Sequence, residues 1–137
     1  MKQMAAYLNY VDALSYALAI RAPEREEVFA ADPARWQQAI LDLKQEFATA
    51  LPIVFKRMTF DEREGRPPHS VEVDHFLHVM SQARLMSKPN VALETLTLNP
   101  EQQKAIVRLN EDRLHELRPA LTDLGNKLAA AVAAVET

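Results

Sequence analysis

A stripe of mostly apolar residues in the last third of the chain constrains the fold more than any other feature of the sequence. Its members follow one another in alternating steps of three and four residues, the heptad spacing that keeps one helix face against a partner. Such a long stripe has to be covered by other helices of the chain or by a second copy. It comprises Val107, Asn110, Leu114, Leu117, Leu121, Leu124, Leu128, Ala131 and Val135.

The shortage of glycine favours an all-α fold. The chain has 137 residues and two glycines, whereas an average usage of about 7% would give roughly nine or ten. Because tight turns with positive φ need glycine, we expect few hairpins. Alanine and leucine are frequent, and both enter helices at little cost. The length suits one compact domain spanning residues 1–137.

Prolines and capping residues divide the chain into four predicted helices. Asp32 followed by Pro33 is typical of an N-cap and a first helical turn. Pro52 and Pro119 lie inside apolar stripes that continue past them, so we expect a kink at each. The predicted helices cover residues 2–21, about 33–58, 70–88 and 100–135, with a helical stub at 23–30.

Two connections between these helices differ in character. Residues 61–69 hold Gly65 and two prolines without periodicity, which indicates an exposed and mobile loop. Residues 89–98 are apolar, so we expect them to fold back over an open end of the bundle. The predicted fold is a single-domain antiparallel four-helix bundle with kinked long helices.

Charge and cysteine usage exclude several classes of partner. The net charge is −3 with acids and bases interspersed, so no basic face predicts nucleic-acid binding. No run of 18 apolar residues predicts a membrane span, and Asp12 interrupts the N-terminal apolar segment where a secretory signal would be uncharged. We therefore expect a cytoplasmic protein. The absence of cysteine removes disulfides and thiolate sites.

No catalytic constellation emerges, so we predict neither an enzyme nor a cofactor. No serine lies in a Gly-x-Ser-x-Gly elbow, and no glycine-rich loop is present to hold phosphate. Glu72-x-x-His75 and Asp112-x-x-His115 have the spacing of di-iron bundles. However, Asp112 points away from the heptad stripe, whereas such ligands must face inward. We predict no di-metal centre.

The third predicted helix has a candidate binding face. One side is apolar through Val73, Phe76 and Met80, and the opposite side mixes apolar residues with His75 and His78. A helix that is apolar on two sides usually lies between neighbours or lines a cavity. Two histidines one turn apart are able to bind a metal, hold an anion or sense pH, or to be semi-buried and hydrogen-bonded to neighbours. The candidate partner- or ligand-binding residues are His75, His78, Gln82, Met86 and Asn110.

These features predict a non-catalytic interaction protein, such as an adaptor, regulator, inhibitor or immunity-type partner, that forms a homodimer. Asn110 interrupts the heptad stripe where a buried amide often sets the register of a helix pair. We therefore expect a partner helix there. The alternative is a bundle that binds a small molecule or metal at the His75/His78 face, with residues 89–98 as a lid.

Overall fold

The computed structural model describes residues 10–21, 27–30, 32–82, 95–98 and 100–133. This part of the chain is mostly helical, which confirms the all-α class. No helix within it is long and apolar enough to cross a membrane. The elements are α1 (Tyr10–Arg21), β1 (Glu27–Ala30), α2 (Pro33–Phe47), α3 (Pro52–Phe55), α4 (Val71–Gln82), β2 (Thr95–Leu98), α5 (Pro100–Leu114) and α6 (Arg118–Val132).

Helix α1 lies at the centre of the fold. It packs against α3, α4, α5 and α6, and every residue from 13 to 19 is buried. The predicted core positions Val11, Leu14 and Leu18 are among the buried residues. The start of the predicted helix, residues 2–9, lies outside the described residues. A helix that is apolar on all sides belongs in a protein interior, and the composition of α1 fits that position.

Helix α2 begins where its capping residues predict. Asp32 Oδ1 accepts a hydrogen bond from the Ala34 backbone N–H at 3.1 Å, and Pro33 occupies the first turn. This pairing satisfies an amide that has no partner within the helix. The core face of α2 is the predicted one, with Trp36 and Ile40 fully buried and Leu43 and Phe47 nearly so.

The helix predicted to run through Pro52 with a kink is instead interrupted. Helix α2 ends at Phe47 and α3 begins at Pro52. Leu51, between them, has φ −129° and ψ 64°, because a proline ring disfavours the helical conformation of the residue before it. The core predicted beyond the break is nevertheless present, since Leu51, Val54 and Met58 are buried.

The C-terminal stripe also passes through a break rather than a simple kink. Helix α5 ends at Leu114, a 3₁₀ turn covers His115–Leu117, and α6 starts at Arg118. The ring of Pro119 conflicts with an α-helical carbonyl four residues earlier, which accounts for the tighter turn. Leu121 and Leu124 are fully buried, as predicted.

The buried face of α5 and α6 drifts away from the heptad stripe at both ends. Ile106 is buried whereas Val107 is half-buried, and Val132 is buried whereas Ala131 is exposed. An α-helix has 3.6 residues per turn, so a strict 3.5-residue repeat leaves the core side over several turns. Val135 lies outside the described residues.

A two-stranded antiparallel sheet was not predicted. Strand β1 pairs with β2 in the register Glu27↔Leu98 to Ala30↔Thr95, so the helical stub expected at 23–30 is wrong for Glu27–Ala30. Phe29 also forms a bridge with Ala133 after α6. Leu98, at the end of the apolar 89–98 connection, is fully buried. Residues 89–94 lie outside the described residues, so the expectation that this connection covers an open end of the bundle stays a prediction.

Aromatic residues join the sheet to the helical core. The Trp36 indole Nε1–H donates a hydrogen bond to the Ala30 carbonyl at 2.7 Å. The Trp36 ring lies edge-on to the Phe29 ring, with centroids 5.8 Å apart, and its centroid is 6.0 Å from that of the Phe76 ring. The buried tryptophan therefore has both its polar and its apolar requirements met, and it connects β1, α2 and α4.

Candidate interaction face on helix α4

The outward side of α4 carries a stripe that we call the α4 outer stripe, consisting of Val71, His75 and His78. These side chains are exposed, and Val71 is 68% exposed. They are four and three residues apart, so they share one helix face. The opposite face holds Val73, Phe76 and Met80, which are fully buried. Among the described residues of α4, one of the two sides that the sequence marked as apolar is thus fully buried, whereas Val71, His75 and His78 on the other are exposed.

The aromatic ring of Tyr10 lies beside the outer stripe. It meets the His75 ring edge-on, with centroids 6.3 Å apart and an angle of 65°. Burial raises the pKa of Tyr10, and the negative charge of Glu72 raises the pKa further. The phenol is therefore neutral at pH 7 and contacts His75 as an uncharged aromatic group.

The first turn of α4 is fixed by hydrogen bonds around Glu72. The Ser70 hydroxyl accepts from the Val73 backbone N–H at 3.4 Å and donates to Glu72 Oε1 at 3.1 Å. The Thr59 backbone N–H donates to the same oxygen at 3.0 Å. Partial burial favours a higher pKa for Glu72, but the hydrogen bonds from Thr59 and Ser70 outweigh it and lower the pKa. The carboxylate thus holds the start of α4 against the segment after α3.

Gln37 connects α2 to the start of α4 from within the core. Its Oε1 accepts from the Ser70 backbone N–H at 2.8 Å, and its Nε2 donates to the Ser70 carbonyl at 3.1 Å and to Asp74 Oδ1 at 2.9 Å. The residue is 2% exposed. Because the buried amide has partners for both its oxygen and its nitrogen, it positions α4 without an unsatisfied group.

The loop 61–69 is exposed, as predicted, but its base is closed. Asp61 and His69 exchange two backbone hydrogen bonds of 2.7 and 3.0 Å. Gly65 has φ 79°, a conformation that favours glycine. His69 Nε2 lies 2.5 Å from Asp74 Oδ2, so the loop also contacts α4. The predicted mobility of this loop stays a prediction.

A groove of about 290 Å³ lies between this loop and the start of α2. Proline rings form much of its wall, and Asp74 places one end of it on α4. The groove and the α4 outer stripe are therefore neighbouring parts of one surface. The residues that line the groove include Pro33, Ala34, Arg66, Pro67, Pro68 and His69.

Of the three remaining predicted site residues, the structure places Asn110 away from the outer stripe. Gln82 is the last residue of α4 and continues the stripe spacing after His78, whereas Met86 lies outside the described residues. Asn110 is buried on α5, where its Nδ2 donates to the Ile106 carbonyl at 2.9 Å and its Oδ1 accepts from Arg113 Nη2 at 3.2 Å. Asn110 therefore belongs to the core near α1 and does not share a surface with His75 and His78.

The potential metal ligands are dispersed over the described part of the chain. No group of three or more histidine or acidic side chains is close enough there to hold a metal ion. His115, whose spacing to Asp112 resembles that of di-iron bundles, contacts the Asp112 carbonyl at 3.3 Å rather than its carboxylate. One copy of α4 thus offers two neighbouring imidazoles and no third ligand.

The sequence did not single out a polar cluster beside α1. Tyr16 is fully buried, and burial raises its pKa, with a further increase from the carboxylate of Glu111. Arg118 Nη1 donates a hydrogen bond to Glu111 Oε1 at 3.0 Å across the 3₁₀ turn. The positive charge of Arg118 partly offsets the increase in the pKa of Tyr16. Tyrosine at helical spacing is usually a packing residue, so only the fold reveals that its hydroxyl faces an ion pair.

No known protein family, curated protein or solved structure matches this chain. Clues to its function therefore come from its own residues, foremost those of the α4 outer stripe.

Proposed function

We propose that this chain is a non-catalytic interaction protein that binds a protein partner or a second copy of itself through the α4 outer stripe. The observation that supports the proposal is the stripe itself: Val71, His75 and His78 are exposed with heptad-like spacing directly opposite the buried side of α4. Such spacing suits a second helix laid along the first.

The packing around α4 makes the stripe a suitable binding surface. Gln37 fixes the start of the helix through a buried hydrogen bond to Ser70, and Glu72 does so through an exposed one from Thr59. A surface that is ordered before binding loses less conformational entropy in a complex. Val71 supplies apolar area, and the carboxylates of Glu72 and Asp74 provide a polar rim, as at protein interfaces in general.

The proposal includes the wider arrangement predicted from the sequence. We infer an antiparallel four-helix core in which α1, α2, α4 and the α5–α6 unit contribute the helices, and a cytoplasmic location. Asn110 takes no part in binding in this proposal, because its side chain is buried and hydrogen-bonded within α5. Nor do Thr95–Leu98 act as a lid, since they form a strand with β1.

The test compares two single substitutions at equally exposed apolar residues. Val71→Glu places a charge on the outer stripe, whereas Leu109→Glu places one on α5, where the side chain is 66% exposed. We expect Val71→Glu to weaken self-association in analytical ultracentrifugation with a chelator present, while Leu109→Glu leaves it unchanged. If the chain does not self-associate, quantitative cross-linking in the native host should show partners lost only with Val71→Glu. Equal behaviour of the two variants contradicts the proposal.

A further inference from the structure

The two exposed histidines of α4 provide half of a metal site. Side chains three residues apart on a helix are neighbours, with Cβ atoms about 5–6 Å apart, and neutral imidazole is a common ligand of transition metals. Both His75 and His78 are exposed. A tetrahedral zinc ion takes four ligands, and no third candidate ligand joins these two within the described part of the chain.

The position of the pair on α4 allows a second copy to supply the missing ligands. The midpoint between His75 and His78 falls between Phe76 and Leu77 on the helix. A two-fold axis that lies outside the helix, in front of the outer stripe at the level of that midpoint, and perpendicular both to α4 and to the direction in which the stripe faces, sets two α4 helices antiparallel with their outer stripes face to face. Each His75 then lies across from the His78 of the other copy, and four imidazoles converge on the axis. The same symmetry places each Val71 across from position 82 of the other helix.

We propose that a divalent transition-metal ion such as Zn²⁺ joins two copies of this chain through His75 and His78 of each copy. This inference rests on the proposed function, because it uses the same outer stripe and names the second copy as its partner. It adds a metal ion, to which each copy contributes two of the four protein ligands.

The surroundings of the pair favour a cation. The described helix Val71–Gln82 contains Glu72 and Asp74 and neither lysine nor arginine, so a bound dication meets negative rather than positive charge on that helix. The ring of Tyr10 contacts His75 from α1, which restricts the orientation of one ligand without adding a charge.

The experiment measures the mass of the full chain by sedimentation with ZnCl₂, with MgCl₂ and with EDTA. At a protein concentration low enough for the 15.5 kDa chain to be monomeric in EDTA, we expect zinc to double the mass, with one zinc bound per two chains, and added EDTA to reverse the change. Magnesium should have no effect because it prefers oxygen ligands. Cobalt(II) in place of zinc should give the intense visible absorption of a tetrahedral site.

Single substitutions separate this site from adventitious binding. His75→Ala and His78→Ala should each abolish the zinc-dependent doubling, whereas His115→Ala, at an exposed histidine on the 3₁₀ turn, should preserve it. Zinc binding without a change in mass, or doubling that persists in His75→Ala, overturns the proposal. A dimer of equal strength in EDTA also overturns the metal bridge, yet supports the proposed function. If Val71→Glu loses partners that Leu109→Glu retains, and the wild type does not respond to zinc, the metal bridge is likewise overturned while the proposed function is supported.

Discussion

Helices α1 and α4 both carry apolar residues on more than one side, but their surroundings are opposite. In α1 every residue from 13 to 19 is buried, because four other helices pack around it. In α4 Val73, Phe76 and Met80 are fully buried, whereas Val71, His75 and His78 on the opposite side are exposed. The comparison shows that a helix with apolar residues on two sides is able to pack against neighbours on both. How many helices of the same chain do so depends on its place in the fold.

The small residues of α1 account for much of this difference. Ala13, Ala17 and Ala19 are buried between larger side chains of α1, and alanine allows neighbouring helices to approach closely. Helix α4 has no alanine between Val71 and Gln82, and it has two histidines on the outer side. Imidazole retains hydrogen-bonding groups that are costly to bury without partners, so this side is left exposed in a single copy.

The largest contrast between the two helices should appear in stability. Leu14→Ala removes a fully buried side chain from α1 and should lower the free energy of unfolding by about 2–5 kcal/mol. Leu121→Ala, in α6 against which α1 packs, should have an effect of the same size. Val71→Ala on the outer stripe should change it by less than about 0.5 kcal/mol. Urea denaturation measures all three, and similar losses for Leu14→Ala and Val71→Ala would contradict the contrast.

The sequence predicts buried helical positions better than it predicts where elements end. Periodicity identified Trp36, Ile40, Leu121 and Leu124 correctly because each lies on one face of a continuous helix. It missed β1, because four residues become a strand only when they pair with Thr95–Leu98 far along the chain. Tertiary pairing of this kind leaves almost no local signal.

The next largest loss of stability should follow from replacing Gln37, which connects α2 to the start of α4. Gln37→Ala leaves the backbone N–H and carbonyl of Ser70 without their buried partner, and it should cost about 1–3 kcal/mol of unfolding free energy. Gln38→Ala provides the control, because Gln38 is exposed and bonds only to the surface residue Asp42 among the contacts that the structure shows. We expect a loss below about 0.5 kcal/mol for the control. Equal thermal stability of the two variants would mean that Gln37 does not support α4.

A smaller, pH-dependent effect should follow from Glu72. Its pKa is lower in the folded protein than the ordinary 4.5, so its contribution to stability is full above that value and is lost as the pH falls through the lowered pKa. Glu72→Gln should therefore destabilise the protein by about 1 kcal/mol at neutral pH. The difference from wild type should shrink between about pH 5 and 3. Glu62→Gln, at an exposed loop residue, should show neither effect in the same denaturation series.

The candidate site was predictable in part. The spacing of His75 and His78 on one helix face is visible in the sequence, but their exposure is not, because Val71 and Val79 suggested a covered surface. Asn110 looked like an interface residue because it interrupts an apolar stripe, yet its hydrogen bonds to Ile106 and Arg113 are made within α5. Local hydrogen bonding of this kind lets an amide enter a core without an external partner.

The smallest effect on stability, and the most informative on function, is expected from the double substitution His75→Gln with His78→Gln. Both side chains are exposed, so the free energy of unfolding should change by less than about 0.5 kcal/mol. The substitution removes both imidazoles from the outer stripe, so the effect of zinc on the self-association of the chain should disappear.

Glutamine preserves the polarity of the two positions without offering an imidazole ligand, so the double variant should fold as the wild type does and fail to respond to zinc. Sedimentation equilibrium with ZnCl₂ and with EDTA measures the association, and circular dichroism verifies that the helix content is unchanged. An identical zinc response of wild type and variant would show that the two histidines of the outer stripe have no special role.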